Sequence, residues 1–174
     1  MIQAVKGEAD SHGIEVFLGI GSNLQEPQQQ VNRGFSALHK LPGCSGVLCS
    51  PLYLGPPMGA QGQPDYVNAV VSLVTTLAPH RLLQEVQAIE QAQGRVRKAR
   101  WGARTLDIDL LLYGDMTLDT PDLQIPHPGI AQRAFVLYPL RDLAPDLNIP
   151  GVGKVVDLAA AVNAEGLVRI GRSH

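Results

Sequence analysis

Apolar and polar residues along the chain alternate between short runs of strand period and longer stretches of helical period. "EVFLGIGSN" (15–23) is an apolar run closed by a glycine turn and reads as a buried strand. Asn23 with Glu26 three residues on has the form of a helix N-cap, and Val31, Phe35 and Leu38 then recur at i, i+4 and i+7. That spacing predicts an amphipathic helix to about Lys40. "CSGVLCSPLYL" (44–54) reads as a second strand in which Pro51 marks an irregular or edge position. A proline- and glycine-rich loop (55–65) leads into "YVNAVVSLVTTL" (66–77), rich in β-branched residues and the clearest strand of the chain. "APHRLLQEVQAIEQAQG" predicts a helix opening with Pro79, ending at Gly94 and burying Leu82, Val86 and Ile89. A basic loop (95–104) precedes a last clear strand, "TLDIDLLLY" (105–113).

The order is β-α-β-β-α-β, which predicts an α+β, ferredoxin-like βαββαβ sandwich with its helices on one side of an antiparallel sheet. Residues 114–174 add turns, a short helix near 130–134 and a helix around Lys154–Asn163. The 174 residues suit a single domain, with 1–13 a flexible lead-in that lacks the apolar core of a signal peptide.

Composition narrows the classes further. A net charge of −2 advertises neither nucleic acid nor a membrane surface, and no apolar run approaches a transmembrane span. This topology is shared with RNA-binding modules, but only 5% of residues are aromatic and the strands carry no aromatic RNA-stacking pattern. Cys44 and Cys49 are too few for a disulfide scaffold, and their spacing within one strand points them to opposite faces. A reducing compartment, the cytoplasm, is the setting this implies.

Two aspartates, Asp107 and Asp109, lie inside the last strand, where aspartate is disfavoured. Strand alternation points both to one face and sends Ile108, Leu110 and Leu112 to the other. Two carboxylates on one face repel unless a cation or proton intervenes, and oxygen pairs suit Mg²⁺. They also fit two solvated acids on an open sheet face. Just before them, "GRVRKARWGAR" (94–104) holds Arg95, Arg97, Lys98, Arg100 and Arg104. Arginine forks fit phosphate oxygens, so loop and carboxylates together suit a polyphosphate–Mg²⁺ substrate. A solvated basic loop pairing with nearby acids is the plainer alternative. Trp101, the only tryptophan, serves either as a packing anchor or as a lid over a flat substrate.

Tyr66 and Asn68 share a strand face and offer a stacking plane beside an amide, which suits a planar heterocycle as well as ordinary packing. Gln87 and Glu90 flank the apolar stripe of the second helix, as boundary polars or as groups reaching a nucleotide. His127, between prolines in "IPHPG", reads unaided as structural. "GIGSNL" begins like a dinucleotide fingerprint but carries Leu24 at its sixth position, and "GVGK" lacks the length of a P-loop.

Four segments, "GIGSNL", "GPPMGAQGQPDYVNAV", "GRVRKARWGARTLDIDLLLYG" and "IPHPGIAQRAFVLYPL", together resemble the 6-hydroxymethyl-7,8-dihydropterin pyrophosphokinase family of folate synthesis, over about residues 17–145. The resemblance implies transfer of the β,γ-pyrophosphoryl group of ATP to the pterin's hydroxymethyl oxygen, with release of AMP. It implies that Asp107 and Asp109 hold two Mg²⁺ ions and that Arg95 and Arg104 engage the triphosphate as catalytic groups. Gln87, Glu90, Arg97, Trp101, Leu110, His127 and Arg133 become the remaining ATP contacts, Trp101 as a lid aromatic. Tyr66 and Phe135 become the rings that sandwich the pterin, Asn68 its edge-reading amide, and Gly55, Pro56 and Met58 the wall of that pocket. The chain departs from the family pattern at Gly55, Ala103 and Pro128, where threonine, proline and an aromatic are frequent. The expected partners are ATP and the reduced pterin, without nucleic acid or membrane, and the expected state is a monomer.

Overall fold

The structure, a computed structural model, describes residues 13–57, 62–94 and 105–172. Its centre is a six-stranded antiparallel sheet built from β1 (Ile14–Ser22), β2 (Cys44–Cys49), β3 (Pro51–Gly55), β4 (Tyr66–Thr75), β5 (Asp107–Tyr113) and, from the far C-terminus, β10 (Val168–Arg172). The order across the sheet is β10-β3-β4-β1-β5, with β2 beside β4 in line with β3. Helices α1 (Pro27–His39) and α2 (Pro79–Ala92) fall between β1 and β2 and between β4 and β5. The ferredoxin-like α+β fold expected from the element order is present.

The helices do not all lie on one side. α1 and α2 cover the face carrying Val16, Leu18, Ile20, Val67, Ala69 and Val71, burying Val31, Leu38, Leu82 and Val86 against it. Gly34 permits the close approach of α1, because a Cβ there would lie 2.7 Å from Ile20 Cδ1. The opposite face carries Phe17, Val70 and Leu111 and is covered by α3 (Ala134–Leu143) and α4 (Val155–Ala161), through Val136, Leu137, Leu140, Val155 and Ala159. The short helix expected near 130–134 is a 3₁₀ turn, Ile130–Gln132, that leads straight into α3. Two-residue strands complete the connections: β6 (Leu118–Asp119) pairs with β7 (Gln124–Ile125), and β8 (Asn148–Ile149) with β9 (Gly153–Lys154). Among the described residues, no helix is long and apolar enough to cross a membrane.

Several local expectations change for physical reasons. The single strand over 44–54 is broken at Ser50, whose backbone N–H donates to Val70 O and whose Oγ accepts from Val70 N. Two short strands therefore serve the ten-residue β4 in succession. Cys44 and Cys49 do not face opposite ways: both pack on the same apolar cluster, because the register shifts between Ser45 and Leu48 where Gly46 takes a φ of 59°. Neither cysteine is in a disulfide, and burial pushes the Cys44 thiol pKa up. A second bulge, opposite Phe17 and Leu18, moves Leu112 to the α3 face beside Leu111, while Ile108 and Leu110 stay on the α1/α2 face. Asn23 does not cap α1. The cap position is Glu26, and Asn23 Nδ2 instead donates to Pro64 O and Gln63 Oε1, tying the β1 turn to the segment before β4.

Candidate active site

Strand register assembles one line of residues across the α3 face. Asp107 pairs with Gly21 and Asp109 with Gly19; Gly21 is paired on its other side with Asn68, and Asn68 with Tyr53. Directly opposed residues point to the same face, so both aspartates share a surface with Asn68, and Tyr66, two residues earlier on β4, joins them. The glycines keep this strip open. A Cβ at Gly21 would lie 2.5 Å from Asn68 Oδ1, and one at Gly19 would touch Leu111 at 3.6 Å. The sequence pattern that made Asp107 and Asp109 conspicuous thus places them where the sheet continues past the residues that α3 buries.

Beside them, at the outer side of β5, is a cleft of ≈ 420 Å³. Asp107, Asp109 and Leu110 form its floor, Leu83, Gln87 and Glu90 of α2 one side, and His127 and Pro128 another. The structure therefore brings together six of the expected site residues: Asp107, Asp109, Gln87, Glu90, Leu110 and His127. Two of them also hold the strand. Glu90, only 2% exposed, accepts the Ile108 N–H on Oε2 at 3.2 Å, so it is more deeply set than a boundary polar. His127 N–H donates to Leu111 O at 3.0 Å.

The His127 ring has a defined state. Burial, assisted by the Arg133 charge and opposed by Asp107, pushes its pKa down to about 4. Nδ1 accepts from Gly129 N–H at 3.0 Å, so the neutral ring carries its proton on Nε2 and is a donor there. Arg133, at the N-cap of α3, extends the site: its Nη1 is 3.8 Å from Asp109 Oδ2 and its Cζ 5.8 Å from the Phe135 ring centroid. Gly129 leaves room for that guanidinium, since a Cβ there would lie 2.7 Å from Arg133 Nε. Arg133 is outside the cleft lining and reaches it through Asp109, and Phe135 lies against Arg133.

Gly55 and Pro56 stand at the end of β3, with Gly55 paired to Tyr66. Tyr53, two residues before, is fixed from α3: its Oη donates to Asp142 Oδ2, its ring meets Tyr138 edge-on at 6.3 Å, and burial with the Asp142 bond pushes its pKa up to about 12. Arg95, Arg97, Trp101, Arg104 and Met58 lie outside the described residues.

Sequence reasoning missed the third wall of the cleft, the β6–β7 hairpin with Pro121, Asp122, Leu123 and Gln124. Thr120 Oγ1 donates to Asp122 Oδ1 at 3.0 Å, and His80 Nε2 of α2 lies 3.1 Å from the same oxygen, which together hold that carboxyl below its usual range. The signal was present in "TPD", a turn with a hydroxyl and a carboxylate two residues apart.

Fold and site define a ferredoxin-like α+β protein with a carboxylate pair in a cleft at the margin of its sheet. Residues 17–145 match the family described as 7,8-dihydro-6-hydroxymethylpterin-pyrophosphokinase (HPPK). A 2-amino-4-hydroxy-6-hydroxymethyldihydropteridine pyrophosphokinase of Pseudomonas aeruginosa is 50% identical over 155 residues, covering 89% of this chain and 96% of that protein. One of the same description from Haemophilus influenzae is 43% identical over 145 residues, covering 83% and 91%. In shape, the crystal structure of Plasmodium falciparum HPPK-DHPS wild type with pteroate is similar at a TM-score of 0.68 and 12% identity, covering 84% of this chain; the chain spans 44% of that one. The chain belongs to the HPPK family.

Proposed function

We propose that this chain is a hydroxymethyldihydropterin pyrophosphokinase of folate biosynthesis, moving the β,γ-pyrophosphoryl group of ATP to the hydroxymethyl oxygen of 6-hydroxymethyl-7,8-dihydropterin. The observation that carries the reading is the line Asp107–Gly21–Asn68 across one sheet face, with Asp109 and Tyr66 on the same surface. It puts a charge-handling cleft and a ring-and-amide surface side by side, as a reaction between a nucleoside triphosphate and a planar heterocycle requires. Family membership supports the same substrates.

The fit to Mg²⁺ rests on the donor set. Asp107 and Asp109 offer carboxylate oxygens on one face, and among the described residues no group of three or more His, Cys, Asp or Glu is gathered as a cage. A cation held by so few protein oxygens takes its other ligands from phosphate and water, which is the habit of Mg²⁺. We assign two such ions to this pair; when bound, they neutralise charge on the β- and γ-phosphate oxygens.

The chain's own groups do the rest. His127 Nε2–H and the Arg133 guanidinium are donors for phosphate or nucleotide oxygens, with Gln87, Glu90 and Leu110 lining the nucleotide's cleft. Arg95, Arg97 and Arg104 grip the triphosphate, and Trp101 covers it. Tyr66 and Phe135 sandwich the pterin, Asn68 reads its amide edge, and Gly55, Pro56 and Met58 shape the pocket. The hydroxymethyl oxygen bonds to the β-phosphorus in line, the bond from that phosphorus to the α-phosphate oxygen breaks, and AMP leaves with that oxygen. Asp107 assists loss of the hydroxyl proton. Alignment and charge neutralisation supply most of the acceleration in such a transfer. The chain acts as a single-domain monomer in the cytoplasm, in keeping with cysteines that form no disulfide.

Mass spectrometry of a reaction containing ATP, Mg²⁺ and the reduced pterin tests this. AMP and a pterin heavier by two phosphoryl groups are expected. ADP, or a pterin heavier by one, overturns it.

A further inference from the structure

The C-terminal strand β10, not foreseen from the sequence and lying beyond the segment that matches the family, is entered through Gly166 and Leu167, which lie against Pro56 and Gly55. Its register on β3 pairs Val168 with Leu54 and Arg169 with Tyr53. Extending that antiparallel register by one residue sets Leu167 opposite Gly55, and Gly55 is paired on its other side with Tyr66. Leu167, Gly55 and Tyr66 thus form one cross-sheet line, and the middle position has no side chain. The Leu167 side chain lies over the gap: a Cβ at Gly55 would be 2.9 Å from Leu167 Cδ1. Gly166 adds a second contact, since a Cβ there would lie 3.3 Å from Pro56 Cδ, and its φ of 79° favours glycine in any case. The segment that delivers both is held by Leu167 N–H donating to Ala164 O and Glu165 N–H to Asn163 Oδ1, each at 3.0 Å.

We propose that Leu167 is a positioning residue for the pterin pocket, occupying from the residue just before the C-terminal strand the space that Gly55 leaves beside Tyr66 and bracing the Gly55–Pro56 backbone. The inference rests on the reading that assigns Gly55, Pro56 and Tyr66 to the pterin. A glycine at the pocket margin would otherwise leave a methyl-sized gap and a turn free to shift, so the tail sets the pocket's width. The coupling is specific to one substrate, because β10 is at the opposite margin of the sheet from the cleft along β5.

The test is steady-state kinetics on the full chain, with each substrate varied in turn. Leu167→Ala should raise KM for the pterin about five- to tenfold, the effect of a lost apolar contact at a pocket wall, with kcat and KM for ATP unchanged and thermal unfolding barely shifted. Leu167→Met, of similar volume, should restore the pterin KM. Gly55→Ala should raise it as well, and the double variant Gly55→Ala/Leu167→Ala should lose less than the sum, because the new methyl enters the space the leucine vacated. Tyr66→Ala serves as the control for the pocket. If Tyr66→Ala raises the pterin KM and Leu167→Ala does not, the inference fails and the pocket stands. If Leu167→Ala shifts both KM values together with the unfolding temperature, its role is structural only and the inference fails. If Tyr66→Ala leaves the pterin KM unchanged, the pocket assignment fails and takes the inference with it.

Discussion

The two faces of the central sheet are built from the same strands by simple alternation, yet they differ along their length. On the α1/α2 face the apolar row is unbroken: Val16, Leu18 and Ile20 on β1 meet Val67, Ala69, Val71 and Leu73 on β4 and Ile108 and Leu110 on β5. On the α3 face, Phe17, Val70 and Leu111 are buried, but the same positions further along read Gly19, Gly21, Asn68, Asp107 and Asp109. One face spends its whole length on packing. The other packs at one end and is left polar and glycine-lined at the other. A continuous helix-covered face supplies the stability that allows its reverse side to carry like charges close together, an arrangement that opposes folding by itself.

Substitutions on the two faces should therefore separate activity from stability. The largest effect is expected at Asp109→Asn, which should lower kcat/KM by about 10³-fold, the scale of losing a main electrostatic contact in a transfer reaction. Its urea midpoint should stay near that of the parent; a matching loss of stability would erase the distinction between the faces. Next comes Leu18→Ala, fully buried on the packed face. It should cost about 2–5 kcal/mol in urea unfolding while kcat of the folded enzyme is retained. Gly21→Ala lies between the two classes. Its methyl would press on Asn68 Oδ1, so the pterin KM should rise about tenfold with KM for ATP little changed.

The smallest effect concerns pH. His127 has its folded-state pKa at about 4, below its ordinary 6.5, because burial disfavours the cation. Between those values the unfolded chain binds more protons than the folded one, so stability falls as pH drops from 6.5 towards 4 and the contribution is complete above 6.5. Urea midpoints measured across that range should decline less in His127→Gln than in the parent. An equal decline would assign the acid sensitivity to other groups.

Much of this was legible in the residues, and the reasons differ by region. β1, β4 and β5 announced themselves because apolar, β-branched runs carry a strong local signal, and Asp107 and Asp109 stood out against it. α1 and α2 followed from their period, and α2 also from its opening proline. α3 did not: Pro139 lies inside it, where proline removes an N–H and crowds the preceding turn, so "AFVLYPLRDL" does not read locally as a helix. Packing of Val136, Leu137 and Leu140 on the sheet overrides that cost. With α3 unseen, the second helix layer was not recognised as one, although its other member, α4, falls within the helix expected around Lys154–Asn163. β10 was missed because its burial is slight and its pattern, "VRIGR", is exposed at nearly every position. The bulges at Gly46 and beside Leu111 changed side-chain direction within strands whose existence was correctly read, since an inserted residue alters no local propensity. For the site, spacing alone could bring Asp107 beside Asp109. Only register could bring Asn68 across Gly21 to join them, and register is a property of three strands far apart in the chain.

The bonds that Glu90 and His127 make to β5 have one more result. An outermost strand offers unused amide donors and acceptors along its free side, and such a side can recruit a strand from another molecule and seed aggregates. Here the Ile108 N–H is taken by Glu90 and the Leu111 carbonyl by His127 N–H. Two residues assigned to nucleotide binding thereby also occupy the free side of the edge strand, so Glu90→Ala is expected to scatter more light at high concentration than the parent, apart from any effect on catalysis.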